Sequence, residues 1–212
     1  MPHMNTTRRE FIGSAAVAAG GLLAGRAETR PAPFYRGALL HLGSNMWGDL
    51  WWHDLLYTIK QVERNGSRAV MWSDKICDGR EAFLARMPKD VLLSPWYYGT
   101  NFSEKNLAWD ASYEKKTGTW EVQRNLAASF VALNDAGYDL LPCTSNWSRD
   151  EAAEALVSFC KARLDPKRLK GIYTAPWNRT IPDEPKKKRI TKTLEGIDLF
   201  AAAMDKHYPL PN

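Results

Sequence analysis

The chain has 212 residues, a formal net charge of +5 and an isoelectric point near 9.1. Three arginines and one glutamate in its first 27 residues carry two of those five charges, so the remainder is only mildly basic and gives no reason to expect nucleic acid as a partner. Its three cysteines, Cys77, Cys143 and Cys160, are widely spaced and lack a CxxC or Cys/His pattern. That excludes a disulfide framework and a zinc site, and they read as buried apolar fillers.

Thr6-Thr-Arg8-Arg9-Glu-Phe11-Ile12 is a twin-arginine export signature, followed by a small-residue apolar stretch to Leu23 and a small-x-small site at Gly25-Arg-Ala27. The three regions in this order predict a signal peptide over 1–27 and a periplasmic or extracellular protein. The apolar part is too short and Gly/Ala-rich to hold a bilayer, so no stable membrane insertion is expected. Residues 28–36 form a Pro/Ala/Arg linker, and one domain is expected over 37–208.

In that domain, short apolar runs alternate with helical patterns. Ala38–Leu42 is the first run. Trp51 to Glu63 then reads as an amphipathic helix through Leu55, Ile59 and Val62, stopped by Asn65-Gly66. Arg68–Met71 is the second run, and Asp78–Arg86 a short helix. Val91–Ser94 is the third. Residues 100–119 have no clear period and read as a long loop, a candidate flap over substrate. Trp120–Asp135 is helical. Leu140–Thr144 is the fourth run, and Ser148-Arg-Asp-Glu151 is a capping box opening a helix to Arg163. Gly171–Thr174 is the fifth run. The basic stretch Pro185–Arg189 reads as the solvated start of a last helix to about Lys206.

Alternating strands and helices imply a parallel sheet, whose strand C-termini all point to the side where ligands bind. Each run leads into a tryptophan: Trp47, Trp72, Trp96, Trp147 and Trp177. Any one indole is an ordinary core residue, but five at the same point of a repeating unit predict a pocket wall suited to the C–H faces of sugars. Tyr97, Tyr98 and Asn146 add phenol and amide donors.

Acids near strand ends are few: Asp49, Asp74, Asp183 and Glu184. Asp74, two residues past Trp72, is best placed to bond a sugar hydroxyl. No second carboxylate stands beside it in sequence, and glycoside hydrolysis needs two, or one acid and a group on the substrate. His41 reads as a hydrogen-bonded residue within its strand. His53, beside Asp54 at a helix start, faces the pocket or caps the helix. There is no GxSxG, Gly-rich phosphate loop or HExxH, so no catalytic residue, cofactor or metal is assigned.

At Val70-Met-Trp72-Ser-Asp74, Val91-Leu-Leu-Ser-Pro-Trp96-Tyr97-Tyr98 and Gly171-Ile-Tyr-Thr-Ala-Pro-Trp177, the sequence resembles the catalytic barrels of glycoside hydrolase family 20, the β-N-acetylhexosaminidase-like enzymes, over about residues 50 to 180. The resemblance implies a (β/α)₈ barrel that removes terminal amino sugars with the substrate's acetamido group as nucleophile. Trp72, Trp96 and Trp177 would then be pocket walls, Tyr98 a donor to the acetamido group and Asp74 a ligand for a sugar hydroxyl. The family's acid lies on a His-x-Gly-x-Asp-Glu segment. Here the similar stretch is His41-Leu-Gly-Ser-Asn45-Met46, with Asn and Met in place of the acid pair. Either that strand has lost its pair, or it is the first strand, joined to the second half by an internal deletion around Gly48-Asp49-Leu50.

A closed barrel needs eight units and typically about 250 residues, and this chain offers about five. The expected fold is therefore an incomplete (β/α)₈ barrel-like domain: the barrel stays incomplete, the sheet is open, or a partner chain or self-association completes it. Loss of a general acid costs about 10²–10⁴-fold. Weak or absent hexosaminidase-like hydrolysis, an exported carbohydrate-binding remnant and a truncated, unstable product are the three expectations.

Overall fold

In the computed structural model, the residues described are 49–114, 122–175, 177 and 186–209, all within the compact unit Ser44–Asn212. The signal peptide, the linker, the Ala38–Leu42 run with His41, Asn45, Met46 and Trp47, and the acids Asp183 and Glu184 lie outside them.

The unit is mixed α/β. Helix α1 (Asp49–Arg64) leads to strand β1 (Val70–Trp72). A 3-10 segment (Asp74–Asp78) and α2 (Arg80–Arg86) lead to β2 (Leu92–Ser94). Next come α3 (Glu104–Leu107), a 3-10 turn (Ala111–Tyr113), α4 (Val122–Asp135) and β3 (Cys143–Thr144). Helix α5 (Ala152–Arg163), β4 (Tyr173–Thr174) and α6 (Lys186–His207) complete it.

The strands run parallel and lie side by side in chain order. Val70 pairs with Leu92 and Trp72 with Ser94, while Cys143 pairs with Tyr173 and Thr144 with Thr174. Parallel bridges Leu93–Leu140 and Trp96–Cys143 join the second strand to the third. Proline explains why the ladders are so short. Leu141 N–H donates to Leu93 O at 2.8 Å and Cys143 N–H to Pro95 O at 2.9 Å, and the rung between them is missing because Pro95 has no N–H; Pro142 likewise has none to offer β4. The Pro142 carbonyl still serves, accepting from Tyr173 N–H at 3.0 Å.

Helix ends fall where glycine allows. Gly66 (φ 70°) and Gly137 (φ 80°) adopt the left-handed turn after α1 and α4, and Tyr138 N–H then closes onto Leu133 O. The capping box expected at Ser148 does not form. Glu151 precedes α5 without a side-chain cap, and the Ser148 hydroxyl instead donates to Tyr98 O at 2.6 Å. The hydroxyl is turned toward a distant carbonyl, and the helix begins at Ala152 without it.

Val91, Leu93 and Leu140 are fully buried with Leu126, Phe130 and Leu133 of α4 and Leu156 and Val157 of α5. Each such side chain contributes about 1.5–3 kcal/mol by leaving water. Part of the expected loop joins this core. Phe102 stacks on Phe159 at 4.3 Å, and Phe130 meets both edge-on. Buried Asn125 fixes the rest of that segment: its amide donates to Asp110 O at 3.0 Å and accepts from Asp110 N–H at 3.1 Å. Helix α6 is tied to α5 where Lys206 and His207 reach Glu154 over 2.6 and 2.7 Å, and these bonds hold its carboxyl below the usual range.

Among the described residues no helix is long and apolar enough to cross a membrane.

Candidate functional site

Aromatic side chains from three strands meet at and beyond the strand C-termini. Trp72 ends β1, and its ring centre lies 5.9 Å from Tyr173 of β4 and 6.0 Å from Trp177. The Trp177 indole N–H donates to Tyr98 Oη. Tyr98 stacks on Trp96 at 4.9 Å and 28°. The Trp96 indole lies near the Asp74 carboxylate and favours its charged form. Ser94 Oγ and Tyr173 Oη, 2.9 Å apart, close the inner side. Trp72, Asp74, Trp96, Tyr98 and Trp177 thus form one connected group.

Strand geometry decides the membership. Side chains alternate across an extended backbone, so Ser94, Trp96 and Tyr98 share one face and Tyr97 takes the other. Tyr97 is buried, meets Phe102 edge-on at 5.3 Å, and leans on Gly99, where a Cβ would lie 2.5 Å from its ring. Asn146 is also engaged elsewhere. It is buried and donates to Lys192 O of α6 at 2.9 Å. Gly196 is what lets α6 come so close, since a Cβ there would lie 2.6 Å from Asn146 Oδ1. Trp147 is 54 % exposed, with its backbone N–H bonded to Ser145 Oγ at 3.1 Å. His53 faces solvent on α1, 3.3 Å from Asp54. Asp49, not Asp54, supplies the acid of the first turn, and it pairs with Arg86 at 2.7 Å.

Electrostatics distinguish the group from ordinary surface. Asp74 keeps contact with solvent, yet the protein crowded around it strips enough water to raise its carboxyl above the usual value. A backbone hydrogen bond and Lys75 oppose that rise, Asp78 adds to it, and the Trp96 indole opposes it. Burial likewise pushes the Tyr98 and Tyr173 phenols far up, so both stay neutral. The Cys143 thiol beside them rises to about 12, again through burial, and is no nucleophile at neutral pH.

The structure adds residues that sequence spacing did not suggest. Tyr173 is a wall of the group, and two-residue alternation with Trp177 was its available signal. Asp78 and Glu114, with Asp74, raise the buried Cys77 thiol further after burial itself, so three carboxyls stand near this strand end. Asp78 bonds Lys75 at 3.0 Å. Glu114 accepts from the Trp109 indole at 2.9 Å and from Arg80 N–H at 3.3 Å. Glu114 arrives from 40 residues along the chain, and no local pattern announces it.

A second surface lies at the opposite, N-terminal end of the strands: an open groove lined by Glu63, Arg68, Lys89, Asp90 and Asp139 among others. Asp139 and the cations pair with one another, while Asp90, facing Glu63, raises the Glu63 carboxyl. Asp139 takes Arg68 at 2.8 Å, Arg168 at 3.4 Å and Lys170 at 3.6 Å, and Lys89 donates to Ala136 O at 2.8 Å. Ligands of parallel α/β sheets bind at the other end, which favours the aromatic group. Among the described residues no cluster of three or more His, Cys, Asp or Glu is placed to hold a metal ion.

Compared with family models, with curated proteins and with solved structures, the chain matches none of them.

Proposed function

We propose that the chain is an exported carbohydrate-binding protein of glycoside hydrolase family 20 ancestry, whose strand-end aromatic group holds an amino sugar with little or no hydrolysis. The observation that carries this reading is the linked set Trp72, Trp177, Tyr98, Trp96 and Asp74 at the strand C-termini. Indole and phenol rings offer apolar faces for sugar C–H groups, while Tyr98, Tyr173 and Asp74 supply a neutral donor set and one acceptor for hydroxyls. Trp177, 52 % exposed, is the ring most open to a ligand.

The same proposal covers the export signal and the barrel ancestry. Four parallel strands in chain order, each followed by a helix, are what part of a (β/α)₈ wall would look like, and they support that ancestry. Binding is favoured over hydrolysis because the nearby acids Asp78 and Glu114 are already bonded to Lys75, Trp109 and Arg80.

Two measurements test the reading together. N-acetylglucosamine should quench indole fluorescence in the wild type and not in Trp177→Ala. Aryl N-acetylglucosaminide and N-acetylgalactosaminide should show no turnover above buffer. Turnover abolished by Asp74→Asn would replace the binding reading with an enzymatic one.

A further inference from the structure

We propose that Trp147 is a second stacking platform beside the strand-end aromatic group, so that the ligand is a run of linked sugars laid across the ends of β3 and β4. The inference rests on the carbohydrate reading above and specifies its ligand as an oligosaccharide.

Among the described tryptophans, Trp147 and Trp177 alone are exposed, at 54 % and 52 %. They follow neighbouring strands. Thr144 of β3 pairs with Thr174 of β4, and each indole stands three residues beyond its member of that pair. The ladder continues past the pair, since Ala175 N–H donates to Thr144 O at 2.9 Å. The two chains therefore leave the sheet side by side. Single exposed apolar residues scattered over a surface are ordinary, but two large indoles at matching positions on adjacent strands are not scattered.

The backbone that carries Trp147 is braced on both sides. Before it, Ser145 and Asn146 are buried. Ser145 Oγ accepts from Trp147 N–H at 3.1 Å, and the Asn146 amide donates to Lys192 O of α6 at 2.9 Å. After it, the Ser148 hydroxyl donates to Tyr98 O at 2.6 Å. A ring left in water adds little to the fold through burial. Held on a fixed backbone, it gives up little freedom when a ligand covers it.

Tyr98 joins the two platforms. Its carbonyl takes Ser148, next to Trp147, and its phenol oxygen takes the Trp177 indole. The anchor points are thus the two ends of one tyrosine. Trp177 packs on Trp72 at 6.0 Å, whereas Trp147 stacks on none of the other described rings. Each indole therefore presents a face of its own to sugar C–H groups, and two separated faces suit consecutive units of a glycan chain.

The test is titration of the ¹⁵N-tryptophan-labelled full chain with N-acetyl-D-glucosamine and with its β-1,4-linked trimer. The Trp147 indole N–H signal should shift with the trimer along the same saturating curve as that of Trp177. With the monosaccharide at saturation it should stay in place. By calorimetry the trimer should bind about tenfold tighter than the monosaccharide, the worth of one added aromatic stack. Trp147→Ala should remove that gain and keep the monosaccharide affinity, which also shows that the variant is folded. Equal affinities for trimer and monosaccharide, a trimer that leaves the Trp147 signal in place, or a gain that survives in Trp147→Ala would overturn the second platform. Each of these would leave the carbohydrate reading standing. Binding of neither sugar would overturn both.

Discussion

The Trp177 indole N–H donates to Tyr98 Oη across 79 residues of sequence. This bond links the segment beyond β4 to the segment beyond β2, and it leaves the accepting phenol its own O–H to donate. Trp177 is held by its polar edge while half its surface stays in water. Tyr98→Phe should keep the ring stacked on Trp96 and remove only the hydroxyl, both as acceptor and as donor. We expect a change of less than about 1.5 kcal/mol in stability, an altered Trp177 emission, and at least several-fold weaker sugar binding. A variant that binds as the wild type does would separate Tyr98 from the site.

Tyr97 gives the opposite expectation. Its ring packs on Phe102 and Gly99 beneath the sheet. Tyr97→Ala should cost about 3–5 kcal/mol, read as a lowered denaturant midpoint. Tyr97→Phe should preserve both stability and sugar affinity. Neighbouring tyrosines would then have separable roles, as strand alternation requires.

Asp74 should titrate above an ordinary aspartate, and Trp96→Phe should raise it further by removing a bond that favours the charged form. Carboxyl-carbon NMR across an acid titration checks this. The sign for stability follows: a carboxyl whose folded pKa is raised binds its proton more tightly when folded. Its contribution to stability therefore weakens as pH rises from the unfolded to the folded pKa.

Asp139 behaves in the reverse sense. Partial burial raises its carboxyl, but Arg68, Lys170 and Arg168 outweigh that and hold it below its usual value. The stability it confers is present above about pH 4 and is lost as pH falls through the lower folded value. Asp139→Asn should cost about 1–2 kcal/mol at neutral pH, since its partners are substantially exposed, and should flatten the acid limb of the stability curve. Urea melts at neutral and acidic pH would read both effects.

Gly196→Ala is a helix-stabilising change by propensity, worth about 0.8–1 kcal/mol. Here it should destabilise, because the added Cβ would meet the Asn146 amide at 2.6 Å. A raised melting temperature would mean that α6 does not rest on Asn146.

Much of the architecture was legible because the runs that end at Trp72, Ser94, Thr144 and Thr174 are apolar, short and bounded by Gly or Pro, and all four became parallel strands. The helices around Leu55 and Phe130 followed from their spacing, whereas the one around Leu156 was expected from a cap that does not form. Other features depend on distant partners. Ser148 reads as a cap, but its hydroxyl is turned toward Tyr98 O, 50 residues away. Residues 102–114 read as loop because Phe102 and Asp110 are ordered by Phe159 and Asn125, from other parts of the chain. Of the strand-end group, Trp72, Asp74, Trp96, Tyr98 and Trp177 stood out by their positions after strands. Tyr97 and Asn146 looked equivalent to them, and only pleat phase and the approach of α6 set them apart.

The most direct test observes the indoles one by one. In a ¹⁵N-tryptophan-labelled protein titrated with amino sugar, the indole N–H signals of Trp72, Trp96 and Trp177 should shift together along one saturating curve. Those of Trp51, Trp52 and Trp109, which pack against Lys75, Phe83 and Glu114, should stay in place. Shifts confined to the second set, or none in either set at saturating sugar, would contradict the assignment of the strand-end aromatic group as the binding site.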